Sequence, residues 1–216
     1  AEIKSIIDKY GNSLANFPTG LTLSILDGQA LTLNQAQLDK LDARIDGVVV
    51  VSDTSSAIGT LLNNAIPTSV QQITPTETLA INFDQFRNLP NYYSGDVVLL
   101  DTEDNIVAAL NEDLLDDRVT TLVIKTGSDS TTLGKATSSS VSTSTADNSL
   151  TVTAAAAANI LSKKVYSEAN YDAGNTNTYM GISIVDRGSA IANFIGSATF
   201  PGTSTAASDT GSINFV

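Results

Sequence analysis

The sequence predicts an α/β fold, a solenoid-like stack of strand–helix units with a mainly parallel sheet. Three observations lead there. Two apolar motifs alternate along the chain and each recurs after 48 residues, from Leu33 to Ile81 and from Asp53 to Asp101. The runs Val48 to Val51 and Val97 to Leu100 are continuously apolar, as in parallel strands covered on both faces. Aromatic residues make up only 6% of the chain and Trp is absent, so small aliphatic side chains must fill a thin layered interior.

The elements follow in order. Ile3, Ile6 and Ile7 read as the helix of a preceding unit, and Leu21 to Ile25 as a strand. Leu31 to Leu33 forms a strand entering a helix over Gln35 to Leu41. Next comes Gly47-Val48-Val49-Val50-Val51-Ser52-Asp53-Thr54, trailed by Ile58 and Leu62 at helical spacing. An Asp-Thr pair offers side-chain oxygens to the unpaired amides of a helix start, which makes Asp53 and Thr54 helix-capping positions. Pro67 marks the helix exit, and Val70 to Ile73 is the next strand.

The second copy repeats this order. Leu79 to Ile81 enters a helix over Asp84 to Leu89, closed by Pro90. Gly95-Asp96-Val97-Val98-Leu99-Leu100-Asp101-Thr102 follows, with capping positions Asp101 and Thr102, a stripe at Ile106 and Leu110, and a strand over Thr121 to Ile124. In the third copy Val152 leads to Ala157 and Ile160, and Gly181 to Asp186 leads to Ile191 and Ile195, with Asp186 as the capping position. The two motifs lie 20 residues apart in the first copies (33 to 53, 81 to 101) and 34 apart in the third (152 to 186), a unit stretched by insertions. Alternating strand and helix favours right-handed crossovers and a layered parallel sheet.

This gives a repeat region over 1–125, a Ser/Thr-rich insertion over 126–149, an expanded third repeat over 150–200 and a C-terminal tail over 201–216. The insertion reads as a loop or as exposed edge strands, and Thr203 to Gly211 is a second such tract. Ile213, Phe215 and Val216 are candidate assembly residues, an apolar end able to pair with an edge strand of this or a neighbouring molecule.

The Asp-Thr-x-x-x-Ile-x-x-x-Leu unit after a Val-rich strand alternates with the Leu-Thr-Leu-x-x-Ala-Gln-Leu unit at Leu31 to Leu38. Together they are similar to repeats of very large secreted bacterial proteins: cyanobacterial surface and swimming-motility proteins, and adhesin-like or S-layer-like polypeptides often exported by type I systems. The resemblance covers residues 20 to 115 well and 150 to 196 loosely, since Arg187 replaces the Thr and Ala154 to Ala158 replaces the polar–apolar alternation. It implies an extracellular, cell-surface structural or adhesive task, often with calcium, and no catalytic residues.

Composition narrows the chemistry. With 23 acidic against 11 basic residues the net charge is −12, which repels phosphate backbones and anionic lipid surfaces, so no nucleic-acid partner is expected. Without Cys or His there are no disulfides, thiol nucleophiles, common zinc sites or Ser-His-Asp triads. No apolar run reaches the roughly 18 residues that span a bilayer, so no transmembrane segment is expected. Ala1 opens without a basic and apolar leader, which fits a processed chain or a piece of a longer one.

Calcium is the one cofactor the composition admits, through the candidate ligands Glu103, Asp104, Glu112, Asp113, Asp116 and Asp117. No EF-hand or glycine-rich calcium nonapeptide accompanies them, and a solvated helix face with a helix-starting carboxylate is the favoured reading of the same residues. Tyr92-Tyr93, Tyr166 and Tyr171 read either as a glycan platform or as packing against the core. Nothing singles out a catalytic carboxylate pair, and the chain reads as no enzyme. The expectation is a self-associating subunit or segment of a surface layer, filament or matrix; a glycan-binding adhesin module and a viral structural or decoration protein are the alternatives.

Overall fold

The computed structural model describes residues 22–25, 28–41, 44–125, 149–172, 174, 181–186, 188–197 and 213–215. The helix expected around Ile3 to Ile7, the Ser/Thr-rich tract before Ser149, the Thr203–Gly211 stretch and Val216 lie outside them. The fold is mixed α/β, in two compact units, Ala1–Gly95 and Asp96–Val216.

The first unit runs β1 (Leu23–Ser24), β2 (Ala30–Leu33), α1 (Gln35–Leu41), β3 (Ile45–Asp46), β4 (Val48–Asp53), α2 (Ser55–Leu62), β5 (Val70–Pro75), β6 (Leu79–Ile81) and α3 (Phe83–Arg87). Strand β4 lies between β2 and β5, both parallel to it, and β1 pairs in parallel with β3. The core of this unit gathers Leu33, Leu38, Leu41, Val49, Val51, Ile58 and Leu62, all 2% exposed or less. Val48 and Val50 are only half-buried. Continuous apolarity thus overstates the cover on β4, because alternate side chains of a strand point to opposite faces and only one of them is closed here.

The second unit runs β7 (Val97–Asp101), α4 (Glu103–Asn111), β8 (Val119–Ile124), β9 (Ser149–Val152), α5 (Ala154–Ile160), β10 (Lys164–Ser167), α6 (Glu168–Asp172), β11 (Gly181–Ile184), α7 (Gly188–Ser197) and β12 (Ile213–Phe215). Strand β8 pairs in parallel with β7 and β10, and β11 with β9 and β12. Strand β10 stands where β3 does, each beginning four residues after its helix ends and pairing in parallel, with β8 and β1 respectively. Helix α6 has no counterpart in the earlier copies and falls in the length by which the third copy is stretched. The alanine run has a packing reason: α5 lies against both α4 and α7, and Ala154, Ala156 and Ala157 are buried between them.

The segments from Val48 and from Val97 are built alike down to their irregularities. Between β4 and β5 the register slips at Val49/Val50, leaving Gln71 unopposed; between β7 and β8 it slips at Val97/Val98, leaving Thr120 unopposed. Each bulge is entered by the same turn, the Val70 amide bonding the Pro67 carbonyl and the Val119 amide the Asp116 carbonyl. Each ladder closes alike, Thr76 on the Asp53 carbonyl at 2.9 Å and Lys125 on the Asp101 carbonyl at 2.8 Å. Such bulges are specific features of a fold, not noise.

Gly47 is a backbone necessity. Its φ is +134°, and a Cβ there would sit 2.6 Å from Ile25 Cβ. Only glycine adopts that conformation without strain and lets the chain pass so close.

Candidate functional site: a recurring junction between copies

The helix starts place the site's side chains. Thr54 is the N-cap of α2 and accepts the Ala57 amide; Thr102 caps α4 and accepts the Asn105 amide. Asp53 and Asp101 sit one residue earlier, at the ends of their strands, where each Oδ1 accepts the amide of the following Thr at 2.8 Å. Asp53 also reaches sideways: its Oδ2 accepts the Gln35 amide, the first of α1, at 2.9 Å. Asp186 does the same in the third copy, accepting the Ala154 amide at the start of α5 at 3.1 Å. Asp53 and Asp186 therefore tie their own strands to the helix that follows the neighbouring strand, while the caps of α2 and α4 are Thr54 and Thr102.

The other helix of each copy starts from a different device. Asn34 and Gln37 exchange side chain-to-backbone bonds at 2.7 and 3.0 Å, and Asn82 and Gln85, 48 residues on, do so at 2.8 and 3.0 Å. Both are capping boxes, which satisfy two orphan groups at once. Thr153 holds the equivalent place in the third copy and accepts the Ala156 amide.

Successive copies then meet through bonds that recur position for position. In the first unit Ser55, the opening residue of α2, donates its hydroxyl to the Ala80 carbonyl at 2.9 Å and accepts the Ala80 amide at 2.7 Å. In the second unit Glu103, the opening residue of α4, accepts the Thr151 amide. Ala80 and Thr151 both precede the last residue of their strands. Asn88, six residues after its cap, donates to the Leu62 carbonyl at 2.9 Å; Asn159, six after Thr153, donates to the Leu110 carbonyl at 3.3 Å. Gln85 adds a bond to the Gly59 carbonyl at 2.9 Å, and a Cβ on Gly59 would come within 3.1 Å of its Nε2. No buried side-chain polar atom among the described residues lacks a partner.

The electrostatics follow from the same packing. Burial raises the Glu103 carboxyl above its ordinary value, the Thr151 amide partly offsets this, and Asp104 adds a smaller upward push. Asp116 is held below its ordinary value chiefly by its hydrogen bond with Arg118, a 2.7 Å ion pair. Lys163, its charge disfavoured by burial, staples the loop before β8 through the Val119 carbonyl at 2.9 Å and the Asp116 carbonyl at 3.3 Å.

The six candidate calcium ligands are dispersed. Glu103 and Asp104 open α4, and Glu112 and Asp113 follow its end, about 13 Å away along nine residues of helix. Asp113 has φ +52° and, with the bonds Leu114 N to Ala109 O and Asp113 N to Leu110 O, closes the helix as a Schellman turn. Asp116 is engaged with Arg118, and Asp117 is exposed. Among the described residues no three acidic side chains gather around a common point suited to a metal ion.

Tyr92 and Tyr93 do not form one platform, since Tyr93 is buried and Tyr92 is 45% exposed. Tyr166 and Tyr171 pack on each other with ring centroids 6.0 Å apart. Tyr92 instead borders an open groove of about 620 Å³ with Asn63, Asn64, Pro67, Asn88 and Pro90. Ile213 and Phe215 lie in β12, paired with Ile182 and Ile184 of the chain's own β11.

Sequence reasoning missed the residues that bind copy to copy: Ser55, Gln85, Asn88, Glu103 and Asn159. The signal was present in Asn-x-x-Gln at 34 and 82 and in Asn at the sixth place after the cap at 88 and 159. Comparison of the chain with protein-family models, with curated proteins and with solved structures returned no match.

Proposed function

We propose that the chain is a non-enzymatic structural protein, a solenoid-like array of strand–helix copies serving as a segment or subunit of an extracellular surface layer, filament or matrix. The observation that carries this reading is the recurring junction: Ser55 on Ala80 and Asn88 on Leu62 in one unit, Glu103 on Thr151 and Asn159 on Leu110 in the other. A device repeated at equivalent positions serves architecture, because each copy buries its apolar face only against the next. The resemblance of the repeats to those of secreted bacterial surface proteins supports the extracellular setting. Electron microscopy of native material tests it. Ordered sheets or fibres are expected; a strictly monomeric protein, with or without added calcium, contradicts it.

One observation favours the glycan-binding alternative. The groove beside Tyr92 is bordered by amides, prolines and a half-open phenol ring, with no charged side chain, in a chain of net charge −12. Neutral sugars, with hydroxyls for amides and a C–H face for a ring, suit such a surface. A glycan array with wild type and Tyr92→Ala separates this reading: signal lost in the variant supports it, and an empty array removes it.

A further inference from the structure

Lys163 and Tyr92 hold the same place in successive copies, ten residues after the helix caps Thr153 and Asn82 (153 to 163, 82 to 92). In the second unit the Lys163 ammonium donates to the Val119 carbonyl at 2.9 Å and the Asp116 carbonyl at 3.3 Å. The counterparts of Val119 and Asp116 in the first unit are Val70 and Pro67, which make the same turn into the same bulge. The Pro67 and Asp116 carbonyls each accept the amide three residues on, and Asp116 gives its second lone pair to the ammonium. Tyr92 brings no ammonium, and in the first unit Pro67, Val70 and Tyr92 line the open groove of about 620 Å³. Arg44 stands ten residues after Asn34 in the first copy (34 to 44), so among the three copies tyrosine is the exception to a basic residue. Two helices also end at this groove. Asn63 closes α2 and Asn88 closes α3, and both line it. A helix C-terminus carries partial negative charge on its unpaired carbonyls, so the field there favours a cation. None of the described lining residues is basic.

We propose that this groove receives a lysine side chain from a partner protein, seated as Lys163 is seated in the second unit. Its ammonium bonds the Pro67 and Val70 carbonyls at the negative ends of α2 and α3. Tyr92, 45% exposed, offers the negative face of its ring to the same charge. The chain itself names the occupant, since the copy that carries a lysine lays it across these two carbonyls. A net charge of −12 draws cationic partners towards the molecule. In the second unit the Asp116 and Asp117 carboxylates also favour the charged lysine, whereas Pro67 and Thr68 supply no charge in the first. The external lysine is therefore held more weakly than the internal one. This goes beyond the scaffold reading, and it assigns to a cation the groove that the glycan alternative assigns to a neutral sugar.

The test is an NMR titration of the full chain with Nα-acetyl-lysine amide, following the backbone amides of Asn63, Asn64 and Val70. About 0.15 M salt screens the diffuse attraction of a cation to an acidic surface. Saturable shifts at these amides are expected, and none from the same molecule acetylated at Nε, which keeps the stem and loses the charge. Tyr92→Lys is expected to abolish the response, because the chain then fills the groove with its own lysine. Tyr92→Leu keeps an apolar border without the ring face and is expected to weaken binding about two- to fivefold. Absence of saturable shifts in the wild type overturns the proposal. So does an equal response to the Nε-acetylated probe, or undiminished binding in Tyr92→Lys. Shifts at these amides from a neutral sugar, with none from the lysine probe, overturn it in favour of the glycan alternative. Electron microscopy of native material judges the scaffold reading separately.

Discussion

Asn82 shows how much one polar residue holds. Its side chain accepts the Gln85 amide while Gln85 bonds its backbone in return, and the same Gln85 reaches Gly59 of α2 and Asn63, the C-cap of that helix. Asn82→Ala is expected to lower stability by about 1–2 kcal/mol, read by urea denaturation, because it removes a cap and loosens the glutamine that crosses between helices. Asp113 gives the opposite sign. Its left-handed conformation is costly for any residue with a Cβ, so Asp113→Gly is expected to raise stability by about 0.5–1 kcal/mol, equally with and without calcium. A stability loss that appears only in calcium would return Asp113 to the role of ligand.

Glu103 carries a pH signature. Burial raises its folded-state pKa above the ordinary 4.5, so its favourable contribution is full below 4.5 and is lost as pH rises through the folded value. Glu103→Gln keeps an acceptor oxygen for Thr151 and carries no charge. It is expected to be more stable than wild type at neutral pH, with the difference vanishing below about pH 4.5 in parallel denaturation series.

At the scale of elements, each helix is set by its two ends and by the copy it touches. Helix α5 lies against two other helices, and its small side chains let them approach; Ala156 and Ala157 are fully buried. Ala157→Leu is expected to cost about 1–3 kcal/mol through overpacking, although leucine is the better hydrophobe. The boundaries of α1 and β6 were legible because an apolar period ends there on a polar cap. The Asp-Thr pair announced α2 and α4 but misled on the division of labour: spacing shows that an acceptor recurs, not which amide it meets. Strand β10 and helix α6 were not legible, since Lys164 to Ser167 is a short mixed run whose partner, β8, lies 43 residues earlier in the pairing of Lys164 with Thr121.

For the whole molecule, the repeat predicts that stability is built from copies and nearest-neighbour junctions. The shared bulges at Gln71 and Thr120 and the shared bonds of Asn88 and Asn159 were beyond composition and periodicity, because register and side-chain partners depend on backbone placement. The most direct measurement is residue-resolved amide hydrogen exchange at Ala80 and Thr151. Both amides are held by the opening side chain of the preceding copy's helix and should be well protected. Ser55→Ala should strip protection from Ala80 while sparing Thr151, and Glu103→Ala should do the reverse. Fast exchange at both positions in the wild type, or protection indifferent to both substitutions, would contradict a junction repeated from copy to copy.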